Sequence, residues 1–187
     1  MVGATRQIDS HRPVIDNDGW EHSDVTDICD IHDYTPTAHL LRERYYEKSH
    51  GGALPAHVWI DNKPLSVLGS RYCGQPIVLS EAGGFLEVPN SVPPDRRDLL
   101  FGFYGSWRTK ENFLEKYRDL MEGIASVRFS AGFCYTQLTD IEQETNGLLT
   151  YDRKPELDPH EIAAIHASLF GGEPSNLPIF SREDTRS

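Results

Sequence analysis

Cysteine is scarce in this chain: three among 187 residues, Cys29, Cys73 and Cys134, with no Cys-x-x-Cys spacing. An odd, scattered set builds neither a disulfide framework nor a zinc knuckle. It points instead to reduced, buried thiols and a cytoplasmic setting. No apolar run approaches the ~20 residues of a membrane-spanning helix, and Met1 to Gln7 has no apolar signal core. Positive charge is in deficit, with 18 Lys and Arg against 29 Asp and Glu and a net charge of −11. Such a surface repels phosphate backbones and anionic membranes, so neither nucleic acid nor membrane is expected as a partner. The phosphate loops GxGxxG and GxxxxGK[ST], the serine elbow GxSxG and the metal spacings HxH and HExxH do not occur. Nucleotide and serine-hydrolase chemistry therefore have no support.

What is present suffices for one ordinary domain with a real core, at 38% hydrophobic and 25% charged residues. Four apolar segments, residues 12–16, 28–34, 75–81 and 132–138, have the length and β-branched content of buried strands. Helical patterns lie between them. Residues 37–48 start at a threonine, and residues 109–124 repeat Phe113, Leu114, Tyr117, Leu120, Met121 and Ile124 at helical spacing behind a capping Thr109. A last helix is expected over 158–169, with Asp158 as cap, Pro159 at the first position and Gly171-Gly172 as stop. Strands alternating with helices call for parallel pairing and an α/β fold. The loops 50–74 and 85–107, rich in Gly, Pro and aromatics, read as substrate walls or lids, and 171–187 as a frayed tail.

Chemistry concentrates where the strands end. The third apolar run stops at Ser80-Glu81 before Gly83-Gly84, and an acid at the carboxyl end of a parallel strand is a catalytic placement in α/β barrels, though also an ordinary polar end. After the first run comes Asp16-Asn17-Asp18-Gly19-Trp20-Glu21-His22. Asp16 and Asn17 can bond vicinal hydroxyls and Trp20 can stack on a pyranose, while the same residues readily form an Asx turn. In Cys29-Asp30-Ile31-His32-Asp33-Tyr34, alternation puts Asp30, His32 and Tyr34 on one face. The Asp-x-His pair could begin a metal site, but no spacing supplies a third and fourth ligand, so neither a metal nor a cofactor is expected. A patch that bonds a neutral polar ligand fits better, with Tyr34 donating to a carboxylate. Along the fourth run Gln137, Thr139 and Asp140 would point into a barrel mouth, followed by the acids of a solvated loop.

Taken in order, these segments resemble the carboxyl-terminal half of the catalytic barrel of glycoside hydrolase family 2, which includes β-galactosidases, β-glucuronidases and β-mannosidases. The carriers are Arg12-Pro13-Val14, Thr26-Asp27-Ile28 through His32-Asp33-Tyr34, Leu79-Ser80-Glu81, Phe133-Cys134-Tyr135-Thr136-Gln137, and Asn146-Gly147 through Lys154-Pro155. The resemblance implies a partial TIM (β/α)8 barrel, strands five to eight with their helices, over residues 1–170. It also implies retaining hydrolysis of a terminal β-glycosidic bond, a β-galactoside first, with Glu81 as nucleophile held by Tyr34. The family's acid/base glutamate follows an asparagine, and no Asn-Glu pair occurs here. Retaining chemistry needs two carboxyls about 5–5.5 Å apart, so the chain alone is expected to be inactive. Were it active, Glu21 and Glu142 would be the first acids to test. Open strand edges imply self-association. The alternative is a degenerate module that binds carbohydrate or a partner chain without catalysis.

Overall fold

The computed structural model describes residues 1–58, 62–88, 105–107 and 109–171. At its centre three parallel strands pair in the order β1 (Cys29–His32), β2 (Ile77–Gly83) and β5 (Ser130–Thr136). Helices α2 (Ala38–Arg44) and α3 (Tyr46–Ser49) lie between β1 and β2 in sequence. A small parallel pair, β3 (Leu86–Glu87) with β4 (Ser106–Trp107), and then α4 (Lys110–Ser126) lie between β2 and β5. Helix α1 (Val2–Ile8) precedes the sheet and α5 (Pro159–Phe170) follows it. The architecture is mixed α/β around a parallel sheet.

The helices form where local chemistry supports them. Thr109 caps α4, its hydroxyl accepting from Asn112 N, and Phe113, Tyr117, Leu120, Met121 and Ile124 form a single buried stripe. Asp158 caps α5 behind Pro159, and Gly171 ends it at φ 79°. Helix α2 starts at Thr37 and is pinned to α4 where the Asp119 carboxylate accepts from Ala38 N at 3.0 Å. The two helices meet at Gly123, where a Cβ would stand 2.7 Å from Ala38 Cα. One core joins this layer to the sheet through Ile31, Leu41, Tyr45, Leu79, Phe113, Leu120 and Ile165. Full burial of each such aliphatic side chain is worth about 1.5–3 kcal/mol.

Three expectations need correction. Residues 12–16 join no ladder, because Pro13 has no N–H and Val14 N is taken by the Asp27 carboxylate at 2.8 Å. Asp27 N returns a bond to Val14 O at 2.9 Å, so the segment runs beside the approach to β1 without becoming a strand. Of the three thiols only Cys29 is buried, its pKa pushed up to about 12 by burial, whereas Cys73 and Cys134 are exposed. Cys134 lies on β5, an outer strand of the described sheet in which no residue is fully buried. The expected loop 85–107 is only partly described, and what is described includes the β3–β4 pair, too short to register as periodicity. Residues 172–187 lie outside the described chain, and with them nearly all of the expected tail.

Candidate active site at the strand ends

The arrangement of the site starts with an irregularity in β2. On the β1 side, Asp30 to His32 spans two residues, while the paired positions Val78 to Glu81 span three. On the β5 side, Leu79 to Ala82 spans three residues against two from Phe133 to Tyr135. One extra residue is therefore absorbed at Ser80–Glu81. In a regular strand Glu81 would follow Ile77 and Leu79 into the helix-facing core. The bulge turns it to the face that Ser80 already occupies, the re-aiming for which bulges beside active sites are used.

On that face Glu81 meets two donors from β1 and the residues just beyond it. Tyr34 Oη donates to Glu81 Oε2 at 2.5 Å, and His32 Nδ1 lies 3.2 Å from the same oxygen. Tyr34 and His32 are buried while the Glu81 side chain keeps 36% exposure, so the carboxylate is held from behind and open in front. Tyr34 is aimed by its neighbour. Asp33, fully buried on the opposite side, accepts from Thr35 N, Arg44 Nε and Tyr45 Oη at 2.9, 2.8 and 2.6 Å. Next to Glu81, Gly83 sits at φ 97° with Tyr135 packed where a Cβ would be, 2.2 Å from the ring.

The 16–22 segment folds over β1 as a turn. Asn17 donates to Trp20 O at 2.7 Å, and Gly19 takes φ 81° with its N–H on Asp30 Oδ2 at 2.9 Å. A Cβ at Gly19 would stand 2.3 Å from His32 Cδ2, so only glycine lets the turn sit on the imidazole. Trp20 meets His32 edge-on at 5.0 Å between centroids. Asp16 is committed inward: it bonds His22 Nδ1 and Ser23 N and Oγ at 2.8, 2.6 and 2.5 Å. Burial works against its charge, but the Ser23 and His22 bonds hold its carboxyl well below the usual range. Burial foremost, and then the Asp18 carboxyl, push Asp30 up, while Asp18 is held low.

The residues expected from the fourth strand form a separate group. The Gln137 amide donates to Asn146 Oδ1 at 2.7 Å, and Asp140 Oδ1 accepts from Gly147 N at 2.8 Å. Both close the loop after β5. Glu21 and Glu142 are exposed turn residues at φ 52° and 50°. Sequence reasoning placed Asp18 and His22 in the 16–22 cluster and Ser80 beside Glu81 without giving any of them a role of its own. His22 orients β1 through Asp30 O at 2.7 Å, and Ser80 donates to Asp30 Oδ2 at 2.8 Å. Their signal was proximity to Asp30 in space, which neither period nor motif reports.

No protein-family model matches this sequence, and no curated protein matches it. Among solved structures, the chain is similar to a β-glucuronidase of Bifidobacterium dentium, solved as a complex with coumarin-3-O-glucuronide. The TM-score is 0.50 at 16% identity, over 87% of this chain and 24% of that one. The chain thus spans about a quarter of the length of that structure. The likeness is one of fold: a mixed α/β arrangement around parallel strands.

Proposed function

We propose that this chain belongs to a retaining β-glycosidase of the family 2 type, forming strands five to eight of its catalytic barrel. Glu81 is the nucleophile, and Tyr34 and His32 hold it. The observation that carries this reading is the Ser80–Glu81 bulge, which sets a half-open carboxylate against two buried donors at a strand end. The two contacts hold one carboxyl oxygen and leave the other for attack on an anomeric carbon. Trp20, Asn17 and Asp18 flank the opening on the β1 side, while Gln137 and Asp140 stay committed to the loop after β5. An indole beside a few fixed polar groups suits a sugar ring. Turnover of ordinary glycosides by these 187 residues alone is negligible in this reading, since no Asn-Glu acid/base pair is present. β1 and β5, the outer strands of the described sheet, would make the chain self-associate at high concentration.

A neutral hexoside, with β-galactoside the first choice, fits this opening better than a uronide, because the Asp18 and Glu81 carboxyls already line it. The glucuronide in the Bifidobacterium complex keeps a second reading in play, and Lys63, 5.5 Å from the Trp20 ring centroid, is the cation that would serve it.

The test needs no proton donor. A 2,4-dinitrophenyl 2-deoxy-2-fluoro-β-glycoside carries its own good leaving group. Glu81 attacks C1, a C1–O ester bond forms as the aryl C1–O bond breaks, and dinitrophenolate departs with the bonding pair. The 2-fluorine then slows hydrolysis of the ester. The expected result is a mass gain of one fluoroglycosyl group, on the peptide carrying Glu81, and none in Glu81→Gln. A panel of galactosyl, glucosyl, mannosyl and glucuronyl reagents ranks the sugars. Labelling elsewhere, or by none of the panel, would sink the assignment.

A further inference from the structure

Behind the strand ends, three side chains converge with atoms left over. Asp18, Asp30 and His32 each offer a ligand atom, all within 4.8 Å of one another. Asp30 is fully buried, and its Oδ2 is satisfied by Gly19 N and Ser80 Oγ. Its Oδ1 has no hydrogen-bond partner among the described residues, because the nearby His22 Nε2, at 3.3 Å, gives its bond to Asp30 O instead. His32 Nε2 is likewise buried and without an aligned hydrogen bond, although Asp18 Oδ1 lies only 3.2 Å away. The other nitrogen of the ring, Nδ1, faces the Glu81 carboxylate at 3.2 Å, which leaves Nε2 as the atom turned toward Asp18 and Asp30.

Buried polar groups are normally partnered, so a convergence of orphaned acceptors calls for an explanation. A single proton could join two of these atoms, but three converge. We propose that Asp18, Asp30 and His32 bind a divalent transition-metal ion. Two carboxylates and one neutral imidazole balance a double positive charge, and three protein ligands leave room for water. Adjacent ligands on a tetrahedral ion at ~2.1 Å stand about 3.4 Å apart, close to the Asp18–His32 separation of 3.2 Å. The Glu81–His32–metal order repeats the carboxylate–histidine–metal relay that fixes a ligand's tautomer. The ion would thus lock the imidazole that faces Glu81. The site stands whether or not Glu81 attacks a sugar.

The experiment uses the full chain stripped with chelator and titrated with MnCl2, free Mn2+ being followed by EPR in the absence of any sugar. One equivalent binds saturably, and pulsed EPR of the bound ion shows nitrogen coupling from one imidazole. Asp18→Asn, at a side chain that is 76% exposed and outside the core, weakens binding at least about tenfold, the lower end of what disturbing a metal's surroundings costs. Asp24→Asn, the same charge change at an exposed residue outside the cluster, leaves it unchanged. Failure to bind one equivalent, absence of nitrogen coupling, or equal weakening by the two variants overturns the proposal.

Discussion

Two acidic clusters sit at strand ends of this sheet, and they dispose of their charge in opposite ways. Around β1 and β2, the carboxyl groups of Asp16, Asp33 and Glu81 are met by histidine, arginine, tyrosine and backbone donors. After β5, Asp140 and Glu156 face each other with few donors, and Glu156 is pushed up to about 7 by burial first and the Asp140 charge second. The first cluster is assembled from separate segments of chain and leaves one carboxylate open. The second lies in the segment after β5, where Gln137 donates to Asn146 and Gly147 N to Asp140. Acidic composition at a strand end therefore does not mark a site. A site is marked by donors from another strand that fix a carboxylate while leaving its front face open.

The largest expected effect separates the clusters outright. Glu81→Gln removes the attacking oxygen and lowers the rate of labelling by the fluoroglycoside by at least about 10⁴-fold, some 5 kcal/mol. Glu144→Gln, in the β5 loop, leaves the rate unchanged. Quench-flow with intact-mass detection measures both, and equal losses would erase the distinction between the two regions.

Glycine substitutions sharpen it next. Gly147→Ala drives a Cβ to 2.5 Å from Asp140 N and Leu149 O, and lowers the free energy of unfolding by about 3 kcal/mol without changing labelling per folded molecule. Gly19→Ala loses about 2 kcal/mol from its left-handed backbone, and also pushes His32 aside, so labelling slows as well. Urea denaturation beside labelling rates tells the two outcomes apart. Tyr34→Phe deletes a hydrogen bond to a charged oxygen, worth about 2 kcal/mol, and slows labelling roughly 30-fold with little change in stability.

Much of this was legible in the sequence, for reasons that differ from element to element. Helices α4 and α5 were readable because cap, apolar stripe and stop agreed at Thr109, Asp158 and Gly171. The face shared by Asp30, His32 and Tyr34 followed from strand alternation alone, and the structure keeps Cys29 and Ile31 on the core side. Residues 12–16 misled because an apolar pentapeptide carries no information about whether a side chain, here Asp27, will occupy its ladder positions. The bulge at Ser80–Glu81 was invisible for a related reason: register belongs to a pair of strands, and a one-residue slip reverses which face a side chain takes. Simple alternation would have buried Glu81. Its exposure to the site depends on an insertion that only pairing with β1 and β5 shows.

The smallest effect is a pH dependence confined to the β5 loop. Folded Glu156 holds its proton up to about pH 7 against an ordinary 4.5, because burial and the neighbouring Asp140 and Glu87 charges disfavour its ionised form. Between those two values the folded state binds more protons than the unfolded one, so stability falls as pH rises through the window and is level above it. Glu156→Gln cannot ionise. It therefore unfolds at higher urea than the parent at pH 8, by about 1–2 kcal/mol once partial solvent access is discounted. At pH 4.5, where parent Glu156 is largely protonated, the two coincide. The fluoroglycoside labelling rate stays the same in both at either pH, because the group serves the loop rather than the opening at Glu81. A pH-independent gain would mean that Glu156 is simply ill packed, and a change in labelling would join the two clusters into one.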